Sequence, residues 1–376
     1  MKTIAFYLPQ FHTIPENDEW WGKGFTEWTN VKKAESLFDE HCMPEIPLNN
    51  NYYDLTNIEV MIDQAKLARK YGIYGFCFYH YWFSGKLLLE KPLENMLKDK
   101  NVDIPFCLCW ANEHWSRNWD GHSEKLLIAQ NYDETKIALE NHFYYLLKFF
   151  KDSRYIKVHN KPMLIIYKPY LIRNCDNMIF LWNKLARENG FDGIYFGYQY
   201  PESFQYNTGK MGFDFGIKFE PLFTDANINK VYLSKIAKIN YAAFHWKWAF
   251  DKLANKIRRL ETDIVITDYD SIWNNILDQD IEANIMPGAF TSWDNTPRRG
   301  RKAHIFWKAS PQKFKKYFTQ LVKKYKNSDD GDLYIFINAW NEWGEGAHLE
   351  PDERYGYAYL EAVRDALIEN DAMPKD

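Results

Sequence analysis

The chain has 376 residues, a formal net charge of -4 and an aromatic content of 18%, with 15 Trp, 26 Tyr and 26 Phe. Its length allows one barrel-sized domain or two smaller ones. The small charge and the lack of a long basic run exclude a typical nucleic-acid footprint, and no apolar run reaches the roughly 18 residues of a membrane span. The aromatic excess suits carbohydrate binding, although a large aromatic core would give the same count.

The N-terminal segment and the cysteines predict a cytoplasmic protein. The first apolar run stops at Pro9, which makes it too short for the hydrophobic region of a signal peptide. Five cysteines are an odd number, and three lie in apolar strand-like runs, so we expect buried free thiols in a reducing compartment. Cys107 and Cys109 would share one face of a strand, which favours packing over metal binding. We expect no metal and no cofactor.

Strand-like and helical patterns alternate along the chain. The spacing of Thr56 and Glu59 predicts a capping box, and the helix that follows should end at Gly72. Ser310 followed by Pro311 predicts another helix start. Further helices are predicted over residues 133–151, 176–189 and 355–370. Apolar runs predict eight strands, at residues 3–8, 75–79, 105–109, 163–167, 194–198, 213–217, 285–290 and 333–337.

Eight such strands, most of them followed by a helix, predict an α/β fold of the (β/α)₈ TIM barrel type. Because we find no internal repeat or linker, residues 1–376 are predicted to form a single catalytic domain. The long interval at about residues 221–280 should be an elaborated loop with its own helices after strand 6. It carries four aromatic residues, and it could cover the barrel mouth or simply decorate the fold. These residues are Phe244, Trp246, Trp248 and Phe250.

Two glutamates directly after the last strand form the strongest functional signal. Residues 333–337 form a continuous apolar run, typical of a strand buried on both faces, and Glu342 and Glu345 follow it among Trp340 and Trp343. Burial against indole raises the pKa of one carboxyl while a polar setting leaves its neighbour ionised, which makes an acid and a base. Glycosidic bond chemistry needs such a pair. The alternative is that both are solvated loop residues or helix N-terminal charges.

The loops after the other strands would share the same face of a barrel. Nearly every one carries an indole or a phenol together with an Asn, His, Gln or carboxylate, which is the composition of a sugar subsite. The predicted catalytic residues are Glu342 and Glu345. The predicted substrate-binding residues are Tyr7, Gln10, His12, Trp28, His80, Tyr81, Trp82, Trp110, Asn112, Glu113, Tyr167, Lys168, Gln199, Glu220, Trp293, Asp294, Asn341, Trp343 and His348.

Some of these residues have structural alternatives. Glu113 and Asp294 could instead be buried ion-pair partners of Arg117 or Arg298. His114 could join Glu113 as a metal ligand, but no second His or Cys stands at ligand spacing, so no metal site is predicted.

Several long motifs give the chain a family resemblance. They occupy residues 7–12, 28–31, 78–83, 110–113, 293–297, 340–346 and 349–352. With them the chain resembles the WbsX-type family of carbohydrate-active proteins and, more distantly, glycoside hydrolase family 99, the endo-α-mannosidases. The resemblance implies a TIM barrel that acts on glycosidic bonds, often encoded with enzymes of O-antigen or capsule assembly and often labelled a glycosyltransferase.

The family 99 resemblance also implies roles for the two glutamates. Glu342 would deprotonate the 2-hydroxyl of the substrate, which attacks the anomeric carbon to form an anhydro-sugar, and Glu345 would act as acid and then as base. The mannosidases carry a glutamate before the Pro-Tyr that follows the fourth strand. This chain has Lys168 there, which departs from the mannose-specific pattern.

The sequence therefore predicts a retaining glycosidase that acts on a bacterial surface-type polysaccharide or oligosaccharide. Its expected partner is this carbohydrate, with no nucleic acid and no membrane span, and nothing indicates an oligomeric state. One alternative is a glycosyltransferase or transglycosylase of O-antigen or capsule biosynthesis that uses the same glutamates, although no Gly-rich strand-to-helix turn for a nucleotide is seen. Another is a non-catalytic carbohydrate-binding protein, against which the intact pair argues.

Overall fold

The computed structural model describes residues 1–116, 126–199, 212–228, 264–280, 282–326 and 333–374. Arg117 and the four aromatic residues at 244–250 that were singled out in the sequence lie outside the described residues. In the described ranges, every helix is too short or too polar to cross a bilayer.

Within the described residues, eight parallel strands form the barrel, and all eight were predicted from the sequence. The seventh strand consists of two pieces on either side of Pro287, whose backbone has no N–H to donate to a neighbouring strand. Its first piece pairs with β6 and its second with β8, so the barrel closes through it. The strands are β1 Lys2–Tyr7, β2 Gly75–Phe83, β3 Phe106–Trp110, β4 Lys161–Ile166, β5 Tyr195–Gln199, β6 Phe215–Ile217, β7 Ile285–Met286 with Gly288–Phe290, and β8 Tyr334–Asn338.

Helices follow most strands. Those that lie wholly within the described residues are α1 Pro15–Trp21, α2 Glu27–Lys32, α3 Ile58–Lys70, α4 Lys91–Lys98, α5 Lys136–Phe150, α6 Cys175–Glu188, α7 Tyr269–Asp278, α8 Thr296–Arg299, α9 Pro311–Tyr325 and α10 Ala358–Glu369. The predicted cap of α9 is confirmed, since Ser310 Oγ accepts from the backbone N–H of Lys313. The predicted capping box of α3 is wrong. Asn57 caps this helix, because the Thr56 hydroxyl donates to Asp54 instead.

Aromatic side chains fill much of the barrel core. The Phe6 ring lies 5.3 to 5.7 Å from the ring centres of Tyr79, Phe219 and Phe336. Much of the aromatic excess in the composition is therefore core packing. All five cysteines are free, and all except Cys42 are buried.

The interval after β6 contains a feature that the sequence did not predict. Val265–Asp268 forms a short strand that pairs in parallel with His304–Trp307, outside the barrel sheet. Val265 and Ile266 of this strand are about half exposed. The helix α7 follows directly, in agreement with the prediction that this interval contains helical structure.

Candidate functional site

A cavity of about 210 Å³ lies where the barrel strands end at their carboxyl termini. Side chains from the ends of most strands contribute to its wall, as is typical of TIM-barrel active sites. It is lined by Leu8, Tyr79, Tyr81, Phe83, Ala111, Glu113, His114, Trp115, Ser116, Tyr167, Phe219, Leu222, Trp293, Arg298, Glu342 and Glu345. Six of these residues belong to the predicted site, namely Tyr81, Glu113, Tyr167, Trp293, Glu342 and Glu345.

Both predicted catalytic glutamates sit on a tight hairpin after β8. Asn341–Glu342 pairs in antiparallel fashion with Ala347–His348, and a 3₁₀ turn of residues Trp343–Glu345 connects them. The Glu342 side chain is 8% exposed and that of Glu345 is 23% exposed. Neither is a solvated loop residue, which removes the first alternative raised from the sequence. The second, a helix N-terminal charge, matches their position at the start of the short 3₁₀ turn, but the Glu342 side chain forms no cap hydrogen bond there.

Arg298 connects this pair to a third glutamate. Its Nη2 donates to Glu342 Oε2 at 2.9 Å, its Nη1 donates to Glu345 Oε1 at 2.6 Å, and its Nε donates to Glu27 Oε1 at 2.8 Å. Arg298 is only 7% exposed and the Glu27 side chain is fully buried. The ion-pair partner suggested from the sequence, Asp294, bonds His41 instead.

Burial raises the pKa of both cavity carboxyls despite the nearby arginine. Burial raises the pKa of Glu342 to about 8, and the neighbouring Glu345 and Glu27 add to the increase while Arg298 opposes it. Burial also raises the pKa of Glu345, again against Arg298. Two carboxyls this close titrate as a pair, and the pair retains a proton at neutral pH. A proton donor is therefore present at the cavity.

Hydrogen bonds to backbone and ring stacking hold the hairpin in place. The Asn341 side chain accepts from the Leu8 backbone N–H at 2.8 Å and donates to the Leu8 carbonyl at 3.1 Å, which joins β1 to the hairpin. Trp343 stacks on His348 with ring centres 3.7 Å apart. The ring of Trp28 also packs against Trp343, with ring centres 5.4 Å apart. Asn341, Trp343, His348 and Trp28 thus support the site from behind and do not line the cavity.

A buried carboxyl fixes the Trp343 ring. Glu350 accepts from Trp343 Nε1 at 2.7 Å, from Tyr53 at 2.8 Å and from Gln64 at 2.6 Å. Tyr7 donates to Gln64 at 2.6 Å, so its hydroxyl points into the layer between barrel and helix. Tyr7 is therefore a supporting residue in the structure and does not reach the cavity.

The opposite wall is built by the loops after β3 and β4. Glu113 lines the cavity and forms an ion pair with Lys168. Asn112 and the Lys168 backbone exchange two hydrogen bonds of 2.7 and 2.8 Å, which fixes the two loops to each other. Lys168 is the residue that departs from the mannosidase pattern. Its ammonium group contacts the Glu113 carboxylate, which lines the cavity.

Three predicted residues lie on the other side of the sheet. Trp82 stacks on His142 of α5 with ring centres 4.6 Å apart, and Trp110 contacts the same ring at 4.7 Å. The His80 Nε2 lies 2.9 Å from the His142 Nε2, and burial lowers the His80 pKa to about 3. Side chains alternate along β2, so His80 and Trp82 near its end face α5 while Tyr79, Tyr81 and Phe83 face the cavity. The structure therefore places these three in the helix layer, away from the cavity.

Four other predicted residues are buried away from the cavity. Glu220 accepts from the backbone N–H and the hydroxyl of Thr224, and burial raises its pKa to about 7. His12 bonds a backbone carbonyl through its Nδ1. Gln10 and Gln199 are buried and lie outside the cavity wall.

A second cavity of about 440 Å³ adjoins the first. Trp293 lines both cavities, and Asp294 and His348 line the second. His348 bonds Glu45 at 3.2 Å, and Asp294 bonds His41 at 2.7 Å.

The structure also adds residues that the sequence did not single out as functional. Tyr79, Phe83 and Trp115 line the cavity, and Arg298 and Glu27 complete the charge cluster. Tyr79 and Phe83 could have been identified from the sequence if the second strand had been extended to residue 83, because alternate residues of a strand share one face. Glu27 and Arg298 carried a weaker signal, namely charged residues inside the loops after β1 and β7.

Comparisons with known proteins identify the family and the fold of the chain. The family model for glycosyltransferase WbsX matches residues 3–363. The uncharacterized protein WxcX of Xanthomonas campestris pv. campestris strain B100 is 37% identical over 368 residues, which cover 97% of this chain and 49% of that protein. The same protein of strain ATCC 33913 matches at the same identity and coverage. The chain thus spans about half the length of the curated relatives it matches.

Two solved structures share the fold. The GH99 endo-alpha-mannosidase from Bacteroides thetaiotaomicron superposes with a TM-score of 0.55 at 13% identity, over 98% of this chain and 97% of that one. A glycoside hydrolase-like protein superposes with a TM-score of 0.56 at 13% identity, over 97% and 93% of the two chains. At this identity the similarity shows the TIM-barrel fold alone. Because the family model covers nearly the whole chain, the protein belongs to the family described as glycosyltransferase WbsX.

Proposed function

We propose that this protein cleaves glycosidic bonds of a bacterial surface-type polysaccharide or oligosaccharide with retention of configuration. The observation that carries the proposal is the buried pair of Glu342 and Glu345, held by one arginine at the mouth of the barrel and still able to retain a proton at neutral pH. Glycosidic bond cleavage requires one carboxyl that donates a proton and one that accepts it. Phenol and indole side chains around the pair suit the apolar faces of sugar rings.

The proposed chemistry has two steps. The proton that the pair shares lies on Glu345 when the first step begins, and Glu342 is then ionised. In this step, Glu342 takes the proton of the substrate 2-hydroxyl, whose oxygen forms a bond to the anomeric carbon while Glu345 protonates the departing glycosidic oxygen. In the second, Glu345 takes a proton from water, the water oxygen bonds to the anomeric carbon, and the opened 2-oxygen recovers its proton from Glu342. Each glutamate ends as it began. The guanidinium of Arg298 lies against both carboxyls and stabilises whichever of them is ionised.

The cavity wall opposite the pair would set sugar preference. Glu113 and Lys168 form an ion pair there, and together they offer both an acceptor and a donor to sugar hydroxyls. Tyr81, Tyr167 and Trp293 add phenol and indole groups. Since Lys168 replaces the glutamate of the mannosidase pattern, mannose is not proposed as the substrate.

Glu345→Gln tests the proposal. Purified protein would be incubated with a panel of bacterial surface polysaccharides, and products would be detected by mass. The amide cannot donate the proton, so turnover should fall by about 10² to 10⁴-fold while binding remains. Glu353→Gln is the control. It makes the same chemical change at an exposed glutamate later in the sequence and should leave turnover intact. Unchanged turnover in Glu345→Gln would reject the assignment, and inversion of configuration by NMR would reject the anhydro-sugar route.

Transfer of a sugar is the second candidate, and the family's description as a glycosyltransferase favours it. The same glutamates would serve, with an acceptor hydroxyl in place of water. Asp-x-Asp triplets, which bind the diphosphate in many nucleotide-sugar transferases, occur at residues 268–270, 278–280 and 330–332, the last outside the described residues. The first gives a nucleotide-sugar donor little support, because Asp268 caps α7 and Asp270 bonds Lys313. Chain elongation from a nucleotide sugar, without cleavage of any polysaccharide, would establish transfer. Binding without either reaction would indicate a carbohydrate-binding protein.

A further inference from the structure

Glu27 occupies one arm of Arg298 without contributing to the cavity wall. Its Oε1 accepts from Arg298 Nε, while the two terminal nitrogens of the same guanidinium face Glu342 and Glu345. Glu27 is the first residue of α2, and its own backbone N–H donates to the carbonyl of Gln10. The carboxylate is thus held rigidly, behind the pair that faces the cavity.

The hairpin backbone is built around this carboxylate. A Cβ atom at Gly344 would lie 1.8 Å from Glu27 Oε1 and 2.6 Å from Arg298 Nε. Only glycine lets the Trp343–Glu345 turn approach so closely. The hairpin that carries Glu342 and Glu345 therefore packs directly onto the Glu27 and Arg298 contact.

Arg298 carries one positive charge against three carboxyl groups. One buried guanidinium faces three carboxyls, all of them sheltered from water. An arginine facing Glu342 and Glu345 alone would favour the ionised form of both and leave the site without an acid. A carboxylate on the third arm cancels that attraction, so burial and mutual repulsion decide the protonation of the pair.

The geometry points to Glu27 as a positioning residue that neutralises Arg298 and thereby keeps a proton on the Glu342 and Glu345 pair. Its meaning for catalysis rests on the proposed function, whereas the protonation itself does not. Burial raises the pKa of both members of the pair, and Glu27 adds to the increase at each. The other titratable or charged groups around the pair lie on β2, α8 and the opposite cavity wall, and they are Tyr79, Tyr81, Arg299, Glu113, His114, Tyr167 and Lys168.

Glu27→Gln tests the inference, because its amide oxygen can still accept from Arg298 while the negative charge is lost. Glutamate labelled with ¹³C at the side-chain carboxyl would be titrated by NMR, with the Glu342 and Glu345 signals assigned from Glu342→Gln and Glu345→Gln. The apparent pKa of the pair should fall by about one unit or more, a tenfold weaker proton affinity. Glu113→Gln removes a cavity carboxylate that does not bond Arg298 and should leave this pKa near the wild-type value.

An apparent pKa that stays at the wild-type value in Glu27→Gln would overturn the inference. If that variant does not fold, Glu342→Gln supplies a second test with Glu27 intact. Glu345 should then still titrate above its ordinary value of 4.5, and a pKa below that value would overturn the inference. Both readouts are independent of turnover. A proton held as inferred in a protein that cleaves no glycan would refute the proposed function and leave this inference standing.

Discussion

The backbone N–H of Asp294 donates to the carbonyl oxygen of Glu345 across 2.7 Å, which joins the loop after β7 to the hairpin after β8. The Asp294 side chain is held in turn, with Oδ2 2.7 Å from His41 Nε2 and Oδ1 accepting from the Thr296 backbone N–H at 3.0 Å. Because His41 Nδ1 accepts from the Leu37 N–H, its proton resides on Nε2 and points to Asp294. Asp294 thus positions Glu345 through its backbone.

Asp294→Ala should destabilise the protein. It leaves the buried N–H groups of His41 and Thr296 without their acceptor, and each loss costs about 1 to 3 kcal/mol. We expect the free energy of unfolding in urea to fall by about 2 to 4 kcal/mol. Asp63→Ala is the control, since the Asp63 side chain is 76% exposed, and it should change stability by less than about 0.5 kcal/mol. Equal effects of the two substitutions would contradict the role given to Asp294.

Gly344→Ala should reduce both activity and stability. The added methyl would overlap Glu27 Oε1 and press on Arg298 Nε, so the hairpin and the charge cluster must separate. Overpacking of this kind costs about 1 to 3 kcal/mol. Turnover should fall with it, because Glu342 and Glu345 would leave their positions against the guanidinium.

Gly356→Ala is the comparison for this substitution. Gly356 has a φ of 56° and no atom within 4 Å of its missing Cβ, so alanine there suffers backbone strain without overlap. It should cost about 1 to 2 kcal/mol and keep turnover. A Gly344→Ala protein with wild-type turnover would show that the close contact with Glu27 is dispensable.

Glu220→Gln should change the pH dependence of stability. Burial raises the pKa of Glu220 from its ordinary 4.5 to about 7, so within this window the folded protein holds a proton that the unfolded chain releases. The free energy of unfolding therefore falls as pH rises from about 4.5 to 7, by at most on the order of 3 kcal/mol from this residue. Urea unfolding across this range should show a shallower decline in Glu220→Gln. The exposed Glu361→Gln should follow the wild-type curve, and identical slopes for all three proteins would refute the burial effect.

The local sequence determined the fold because a parallel barrel strand is buried on both faces. Such strands read as short continuous apolar runs, and all eight were recognisable. The short pair Val265–Asp268 and His304–Trp307 escaped prediction because its partners are distant in sequence and its first strand is half exposed. The true cap of α3 escaped because Asp54 competes for the Thr56 hydroxyl.

The site was predictable where a motif follows a strand directly. Glu342 and Glu345 stand immediately after β8 and do reach the cavity. Of the three predicted residues of β2, Tyr81 lines the cavity, whereas His80 and Trp82 were misplaced. That strand continues to Phe83, so alternation sends His80 and Trp82 to the helix layer and Tyr79 and Tyr81 to the cavity. The sequence prediction ended this strand at Tyr79, so it treated His80, Tyr81 and Trp82 alike as loop residues that could reach the cavity.

By itself, then, the sequence determined the barrel and the two carboxyls at its mouth, since both follow from patterns within one element and the turn after it. Only the tertiary structure decided how those carboxyls are charged. Glu27 and Arg298 come from loops 271 positions apart and meet against the hairpin after β8. Protonation depends on burial and on charges a few ångströms away in space, and neither quantity is written in the spacing of residues along a chain.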